Sequence, residues 1–241
     1  AGQRQLVWSD RSGRLLGTLG PPDANGALSL SPDGRRAAVS RTAQGNGDIW
    51  LVDETRTTRL TFDAALDRFP VWSPDGSQIV FDSNRKGHRD LYAKASNGAG
   101  NEELLIASEQ DKGAEDWSRD GRFLLYRTLD PQTYWDLWVL PIEGDRKPFL
   151  FLKTNFDERR AKFSPDGRWV AYMSNQSGRF EIYVRPFGGT ASRISNGGQW
   201  QVSTSGGMDA RWRPDGKELY YIAPNGKLMA APITVSGETI E

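Results

Sequence analysis

The feature that most constrains this chain is a turn motif that occurs five times. Its clearest copy is Phe163-Ser164-Pro165-Asp166-Gly167, which precedes the apolar stretch Trp169–Ser174. Pro fixes φ at the second turn position, Asp offers a side-chain acceptor and Gly tolerates a positive φ, so each copy predicts a β-hairpin. The other copies end at Gly34, Gly76, Gly121 and Gly216. One hairpin is marginal alone, so the copies must pack against one another.

The spacing of the copies predicts the architecture. Successive turn glycines are 42, 45, 46 and 49 residues apart. A period in the forties with several short strands per repeat is typical of a β-propeller blade. An acidic residue opens a third strand after four of the hairpins, at Asp48, Asp90, Asp136 and Glu181. Short fourth strands follow, as at Thr58–Thr61 and Glu103–Ile106, so each blade is predicted to have four antiparallel strands, a to d.

The sequence therefore predicts one all-β domain over residues 1–241, a six-bladed β-propeller of four-stranded antiparallel blades. The first blade is incomplete and has strands c and d only. The predicted blades are blade 1 (partial) at 1–20, blade 2 at 24–62, blade 3 at 66–107, blade 4 at 112–153, blade 5 at 158–203 and blade 6 at 208–241. The fourth strand of blade 6 is expected at Glu238-Thr239-Ile240-Glu241 or beyond the chain.

The incomplete blade leaves three alternatives for closing the ring, because unpaired strand edges attract other chains. The missing strands belong to a longer parent protein, the ring closes imperfectly, or a second copy covers the edge by self-association. We favour a fragment of a longer chain.

The repeats carry a family resemblance. An aromatic residue before Ser-Pro-Asp-Gly-Arg, then Asp-Ile-Trp or Asp-Leu-Tyr, then Arg-Leu-Thr, resembles the TolB-type propeller repeat, a relative of WD-repeats, over nearly the whole chain. The stretches 136–149 and 179–187 resemble the carboxy-terminal propeller of acidobacterial-type receptor serine/threonine kinases. This resemblance implies an extracytoplasmic sensor module, periplasmic or at the cell surface, of a larger bacterial signalling protein. Arg119 in place of Pro and Arg213 in place of Ser depart from the repeat.

Composition argues against several function classes. Lys plus Arg and Asp plus Glu balance at 31 each, so no net charge attracts nucleic acid or an anionic membrane. There is no cysteine, which excludes disulfides and thiolate metal sites. No apolar run approaches the length of a membrane span, so we expect no membrane insertion by this segment.

Catalytic, metal and cofactor sites are not predicted. The single histidine, His88, lies in a basic stretch typical of a solvated loop. The turn aspartates each stand alone and form turns, without the alternating oxygen ligands of a calcium loop. Ser203–Gly207 is a polar linker without a nucleophile elbow, and no phosphate-binding glycine motif is present.

Recognition is the remaining hypothesis. The connections from d to a and from b to c vary between blades and emerge on one face, at the mouth of the predicted channel, so specificity is expected there. Their charged and aromatic residues include the types enriched at binding hot spots. The predicted binding residues are Asp67, Arg68, Arg85, His88, Arg89, Glu115, Asp116, Tyr134, Trp135, Arg159, Arg160, Arg179, Asp209 and Arg211.

Two kinds of ligand are compatible with this surface. The favoured one is a protein or peptide partner at the loops around the channel mouth. The alternative is a small polar ligand, such as a sugar or peptide fragment, inside the central channel. A hydrolase or lyase on a propeller scaffold ranks last.

Overall fold

The structure, a computed structural model, describes residues 2–43, 46–190, 198–236 and 239–240. These residues form 23 β-strands joined by turns. The chain divides into two compact units, Ala1–Ala114 and Glu115–Glu241, which we call the N-terminal unit and the C-terminal unit.

The N-terminal unit contains one two-stranded sheet and two four-stranded sheets, each antiparallel. The two-stranded sheet pairs β1 (Arg4–Ser9) with β2 (Leu15–Asp23). Blade 2 consists of β3 (Asn25–Leu30), β4 (Ala37–Ala43), β5 (Asn46–Val52) and β6 (Thr57–Arg59). Blade 3 consists of β7 (Asp67–Trp72), β8 (Gln78–Lys86), β9 (His88–Ala95) and β10 (Glu103–Ile106).

The remaining sheets hold blades 4 to 6. Blade 4 consists of β11 (Lys112–Trp117), within which the unit boundary falls, β12 (Phe123–Asp130), β13 (Tyr134–Pro141) and β14 (Phe149–Leu152). Blade 5 consists of β15 (Glu158–Phe163), β16 (Trp169–Ser174), β17 (Glu181–Pro186) and β18 (Trp200–Gln201). Blade 6 has β19 (Met208–Trp212), β20 (Glu218–Ile222) and β21 (Leu228–Pro232), and a separate pair joins β22 (Val235–Ser236) to β23 (Thr239–Ile240).

The fold is an all-β propeller with four-stranded antiparallel blades, but the prediction of six blades is wrong. The described residues form five blades, because β1 and β2 make only a two-stranded sheet; blades 2 to 5 have four strands each and blade 6 has three. The expected fourth strand of blade 6 pairs with β22 instead of β21. Ile240 of this pair is buried in a cluster with Trp169 and Leu219, so the segment packs its apolar side chain on residues of blades 5 and 6. Glu238 and Glu241 lie outside the described residues.

The hairpin turns form as the motif predicts. In four of them the Ser hydroxyl donates to the turn Asp at 2.5 to 2.6 Å, at Ser31, Ser73, Ser118 and Ser164. The same hydroxyl accepts the backbone N–H that opens the next strand at 2.9 Å. The turn glycines have φ between 69° and 79°, a conformation that favours glycine. The motif is therefore a closed set of hydrogen bonds that fixes where strand b begins.

Apolar clusters build the core of each unit. In the C-terminal unit Tyr172 and Tyr183 stack with ring centroids 5.9 Å apart, inside a cluster that also contains Phe163 and Phe187. In the N-terminal unit Phe81 stacks on Tyr92 at 6.2 Å. All six residues of β16 are buried, because the second strand of a blade is covered on both faces.

Candidate functional site

The predicted binding residues lie mostly in strands, which corrects the expectation that they occupy loops. Of the 14 residues, all except Arg179 fall within β7, β8, β9, β11, β13, β15 or β19. The connections are shorter than predicted because the strands continue almost to the turn. Lys86, for example, pairs with His88 around Gly87.

In the N-terminal unit, two of the predicted residues are structural. Arg85 places its guanidinium 3.2 Å from the buried Asp67, 3.3 Å from Glu102 and 4.3 Å from the ring centroid of Tyr92. Burial raises the pKa of the Asp67 carboxyl. Arg85 therefore cross-links strands of blade 3, and little of its side chain is open to a partner.

The other N-terminal residues are more exposed. Half of the His88 side chain is accessible, and its two ring nitrogens lie 3.7 Å from Glu109 and 3.8 Å from Asp111. The backbone N–H of Arg89 donates to Asp111 at 2.9 Å. Arg68 is half-buried in β7. These residues line one end of blade 3, and their contacts with one another are few.

The C-terminal unit brings a first group of predicted residues into structural contacts. Glu115 forms a buried ion pair with Arg127, whose guanidinium lies 4.6 Å from the ring centroid of Trp135. Arg159 pairs with Asp157 at 2.8 Å and lies 4.8 Å from the ring centroid of Phe180. Burial raises the pKa of Asp157. These contacts stabilise the sheet ends.

A second group forms the candidate site, which we call the first-strand cluster. It consists of Asp116 on β11, Arg160 and Lys162 on β15, and Asp209 and Arg211 on β19, so it joins the first strands of three successive blades. Arg160 Nε lies 3.3 Å from Asp209 Oδ1, and Lys162 Nζ lies 3.5 Å from Asp116 Oδ1.

The cluster is held by the backbone as well as by charge. Asp116 Oδ2 accepts the backbone N–H of Phe163 at 2.9 Å, and Lys162 Nζ donates to the carbonyl of Glu115. Burial lowers the pKa of Lys162, and the nearby guanidinium of Arg211 lowers it further. Asp116 and Lys162 are mostly covered, whereas Arg160, Asp209 and Arg211 are accessible.

Two of the accessible residues have a left-handed backbone. Arg160 has φ 57° and Asp209 has φ 52°, and each lies at a bulge where the pairing register shifts. Non-glycine residues pay about 1–2 kcal/mol for this conformation. Phe69 of β7 has φ 50° at the equivalent bulge, so the bulge belongs to the repeat. In the C-terminal unit the bulge position is occupied by charged residues, Arg160 and Asp209, where blade 3 has Phe69.

Sequence reasoning placed Asp116, Arg160, Asp209 and Arg211 among the binding residues and missed Lys162. Lys162 follows the bulge at Arg160, where the pairing register shifts, so the period of two in a strand does not give its face. Tyr134 and Arg179 are both more than half exposed, and Tyr134 has φ 67°. Arg179 Nε lies 3.3 Å from Glu181 Oε1, at the opening of β17.

The chemistry of the first-strand cluster suits binding by charge and hydrogen bonding. It contains two carboxylates, two guanidinium groups and one amine, without a hydroxyl or thiol nucleophile. Among the described residues, no three His, Asp or Glu side chains converge to hold a metal ion. A search of the same residues for a helix long and apolar enough to cross a membrane found none.

Comparison with known proteins finds similar propeller sequences. Residues 19–134 match the model of the PD40 family, described as the TolB beta propeller domain. An uncharacterized protein of Agrobacterium fabrum is 25% identical over 209 residues, covering 80% of this chain and 68% of that protein. The Tol-Pal system protein TolB of Helicobacter pylori J99 is 24% identical over 159 residues, covering 64% of this chain but 38% of that protein.

Solved structures show the same fold. A protein assigned provisionally as TolB, from Agrobacterium tumefaciens, superposes with a TM-score of 0.77 at 17% identity and covers 100% of this chain and 88% of its own. The periplasmic gluconolactonase of Pseudomonas aeruginosa has a TM-score of 0.63 at 16% identity, covering 97% of this chain and 74% of its own. Because a catalytic protein shares the fold, function must be argued from the site.

Proposed function

We propose that this chain is a non-catalytic recognition module that binds a protein or peptide partner through the first-strand cluster of its C-terminal unit. The observation that carries the proposal is the Arg160–Asp209 pair: two accessible charged residues, from neighbouring blades, with Nε and Oδ1 3.3 Å apart at the bulge of each first strand. The bulge itself recurs at Phe69, so the charge that these two blades place there is what sets the cluster apart.

The composition of the cluster favours a macromolecular partner. Arg160 and Arg211 are planar cations that make directed hydrogen bonds, and arginine is enriched where proteins bind proteins. The carboxylates beside them offer acceptors to backbone or side-chain donors of the partner. A surface with both positive and negative charges favours a partner whose charges have the complementary arrangement. Such complementarity contributes to specificity more than to affinity.

We also propose a cellular location and a parent protein for the module. Relatives named as Tol-Pal system proteins and a periplasmic enzyme of the same fold support an extracytoplasmic location. The resemblance to receptor-kinase propellers supports a place in a larger bacterial signalling protein. In that setting the partner is an extracytoplasmic protein or peptide, and its binding is the signal that the module receives.

Site-specific photo-crosslinking tests the proposal. A benzophenone amino acid replaces Arg211 in the cluster or, as a matched control, the exposed Lys227 of the same unit. Each protein is irradiated with an extracytoplasmic extract of the source bacterium. We expect a discrete crosslinked protein from position 211, absent from position 227, and its loss when unlabelled wild-type chain competes but not when an Arg160→Glu/Asp209→Lys chain competes.

Two outcomes would contradict the proposal. Equal crosslinking from both positions would mean that the cluster has no special role. A rise in thermal stability with sugars or short peptides alone, without any crosslinked protein, would favour the small-ligand alternative, because a ligand of the folded state stabilises it by mass action.

A further inference from the structure

The C-terminal unit has a second surface that the first-strand cluster does not include. It is a cleft of about 710 Å³ between the hairpin turns of blades 5 and 6. The segment Pro232–Val235, which follows β21, closes one side. Clefts of this size accommodate ligands of several hundred daltons.

The cleft forms where the repeat breaks. Arg119 occupies the turn position that Pro holds in the other four copies, and its Nη1 donates to the carbonyl of Pro214 at 3.4 Å. After β21 the chain does not fold back as a fourth strand. The N–H of Ile233 donates to the carbonyl of Lys217 at 2.9 Å, as the N–H groups of Ser96, Ile142 and Phe187 do at the same point of blades 3 to 5, and Ile233 is buried with residues of blades 5 and 6. Thr234 and Val235, which follow it, line the cleft.

The walls of the cleft are apolar in part. Trp212 contributes a half-buried indole ring and Pro165, Pro214 and Pro232 contribute pyrrolidine rings, whereas Trp169, also in the lining, is almost fully buried. Trp212 is fixed by its indole N–H, which donates to the carbonyl of Lys162 at 3.1 Å. Tryptophan and proline surfaces of this kind receive extended peptides, since little side-chain entropy is lost on binding.

The charged residues at the rim of the cleft differ in whether they already have a partner. Asp166 accepts the hydroxyl of Ser164 and a backbone N–H of its own turn, and Asp215 lies 3.3 Å from the guanidinium of Arg213. Within the described ranges, by contrast, Arg119 and Lys217 form no ion pair; Arg119 bonds only a carbonyl. The cleft therefore presents two cations without carboxylate partners beside apolar walls.

We propose that this cleft is a second binding site, for an extended peptide segment that carries a carboxylate beside proline or aliphatic residues. The carboxylate binds between Arg119 and Lys217, and the apolar residues pack on the tryptophan and proline walls. The site is independent of the partner proposed for the first-strand cluster, because it uses the Ser-Pro-Asp-Gly turns and none of the cluster's residues.

A random octapeptide library displayed on phage tests the site without assuming a ligand. Selection uses the immobilised wild-type chain, with an Arg119→Pro/Lys217→Gln chain for counter-selection. Arg119→Pro restores the residue of the other four turns, so the hairpin is expected to form normally. We expect the selected peptides to be enriched in Asp or Glu next to Pro, Leu or Ile.

A selected peptide is then synthesised with a fluorophore and titrated by anisotropy. We expect each of Arg119→Pro and Lys217→Gln to weaken its binding by about tenfold, the effect of losing one charge-assisted contact worth about 1.4 kcal/mol. Lys227→Gln, at an exposed position just before β21, and Arg211→Glu in the first-strand cluster serve as controls and should leave binding unchanged.

The proposal fails if no peptide is enriched on the wild-type chain over the double variant, or if basic peptides are enriched instead. It also fails if a Glu→Gln version of the selected peptide binds equally well. Competition by acetate or inorganic phosphate alone, with no contribution from the apolar residues, would show a simple anion site and overturn the peptide assignment. Loss of this binding in Arg211→Glu would contradict the independence of the two sites.

Discussion

Arg160 and Asp209 face each other from β15 and β19 with Nε and Oδ1 3.3 Å apart, and both have a positive φ. Each lies in a bulge of the first strand of its blade. An ion pair between residues this exposed contributes little to stability, typically less than 1 kcal/mol. Phe69 has the same backbone conformation at the equivalent bulge, so the strain belongs to the repeat, and the feature that we assign to binding is the charged pair that blades 5 and 6 place on it.

Two substitutions of Arg160 separate the cost of its backbone conformation from the loss of its charge. Arg160→Gly and Arg160→Ala both remove the guanidinium, but only glycine adopts φ 57° without a steric penalty. We expect the glycine variant to be more stable than the alanine variant by about 1 kcal/mol, measured from urea unfolding of both proteins. Arg168→Gly against Arg168→Ala, at an exposed position without a positive φ, is the control pair and should show the opposite order. Equal stabilities at position 160 would mean that the bulge relaxes when its side chain is removed.

The hairpins and blades were predictable because the turn chemistry is local. Pro, Asp and Gly act within four residues, and the structure confirms each turn. The blade count was not predictable, because it depended on whether β1 and β2 join a four-stranded sheet, and that is decided by pairing with strands far away in the sequence. A short apolar segment at a chain end carries no local signal for its partner.

The candidate site was predictable in part for a similar reason. Charged residues near strand ends pointed to Arg160, Asp209 and Arg211, but the sequence could not separate them from Arg85, which is covered by Asp67 and Tyr92. A buried arginine and an accessible one look alike until their neighbours are known. Lys162 was not predicted because the bulge at Arg160 interrupts the strand alternation that would give its face.

Glu158 makes the free energy of unfolding depend on pH. It is fully buried at the start of β15, where Oε1 accepts the hydroxyl of Thr154, and burial raises its pKa to about 7. The unfolded chain has a value near 4.5, so the folded protein binds the extra proton between about pH 4.5 and pH 7. The free energy of unfolding must therefore fall as pH rises through this window, by about 3 kcal/mol from this group.

Urea unfolding at pH 5 and pH 7.5 measures this effect. We expect Glu158→Gln to lose much of the difference between the two pH values, since its amide does not titrate. Burial raises the pKa of Asp136 and Asp157 as well, so a smaller difference of the same sign should remain. The exposed Glu143→Gln is the control and should behave as wild type. A wild-type chain that is more stable at pH 7.5 than at pH 5 would contradict the prediction.

Lys112 is the most deeply buried cation of the N-terminal unit's described residues. Its side chain is 1% exposed, and Nζ donates to Asp90 at 3.0 Å and to the carbonyl of Gln110 at 2.6 Å. Lys112→Met leaves the Asp90 carboxylate buried and unpaired, so we expect a loss of about 3–5 kcal/mol in the free energy of unfolding.

The double variant Lys112→Met/Asp90→Leu tests that reason. It removes both charges and should recover part of the loss, because a buried ion pair can be exchanged for apolar residues at little cost. Lys86→Met, at an exposed position of blade 3, should change stability by less than about 0.5 kcal/mol. If the double variant were less stable than Lys112→Met alone, the unpaired carboxylate would not be the cause.

Substitution of Ser164 tests how much the serine of the repeated hairpin turn contributes to stability. Its hydroxyl donates to Asp166 at 2.6 Å and accepts the buried N–H of Trp169 at 2.9 Å. Ser164→Ala leaves that N–H without its acceptor, so we expect a loss of about 1–3 kcal/mol in the free energy of unfolding. Ser177→Ala removes an exposed hydroxyl that donates to the carbonyl of Arg179 at 3.2 Å, and it should cost far less. Because blade 6 has Arg213 at the equivalent position and still forms its turn, a loss at Ser164 no larger than at Ser177 would mean that Pro, Asp and Gly suffice to fix the hairpin without the serine.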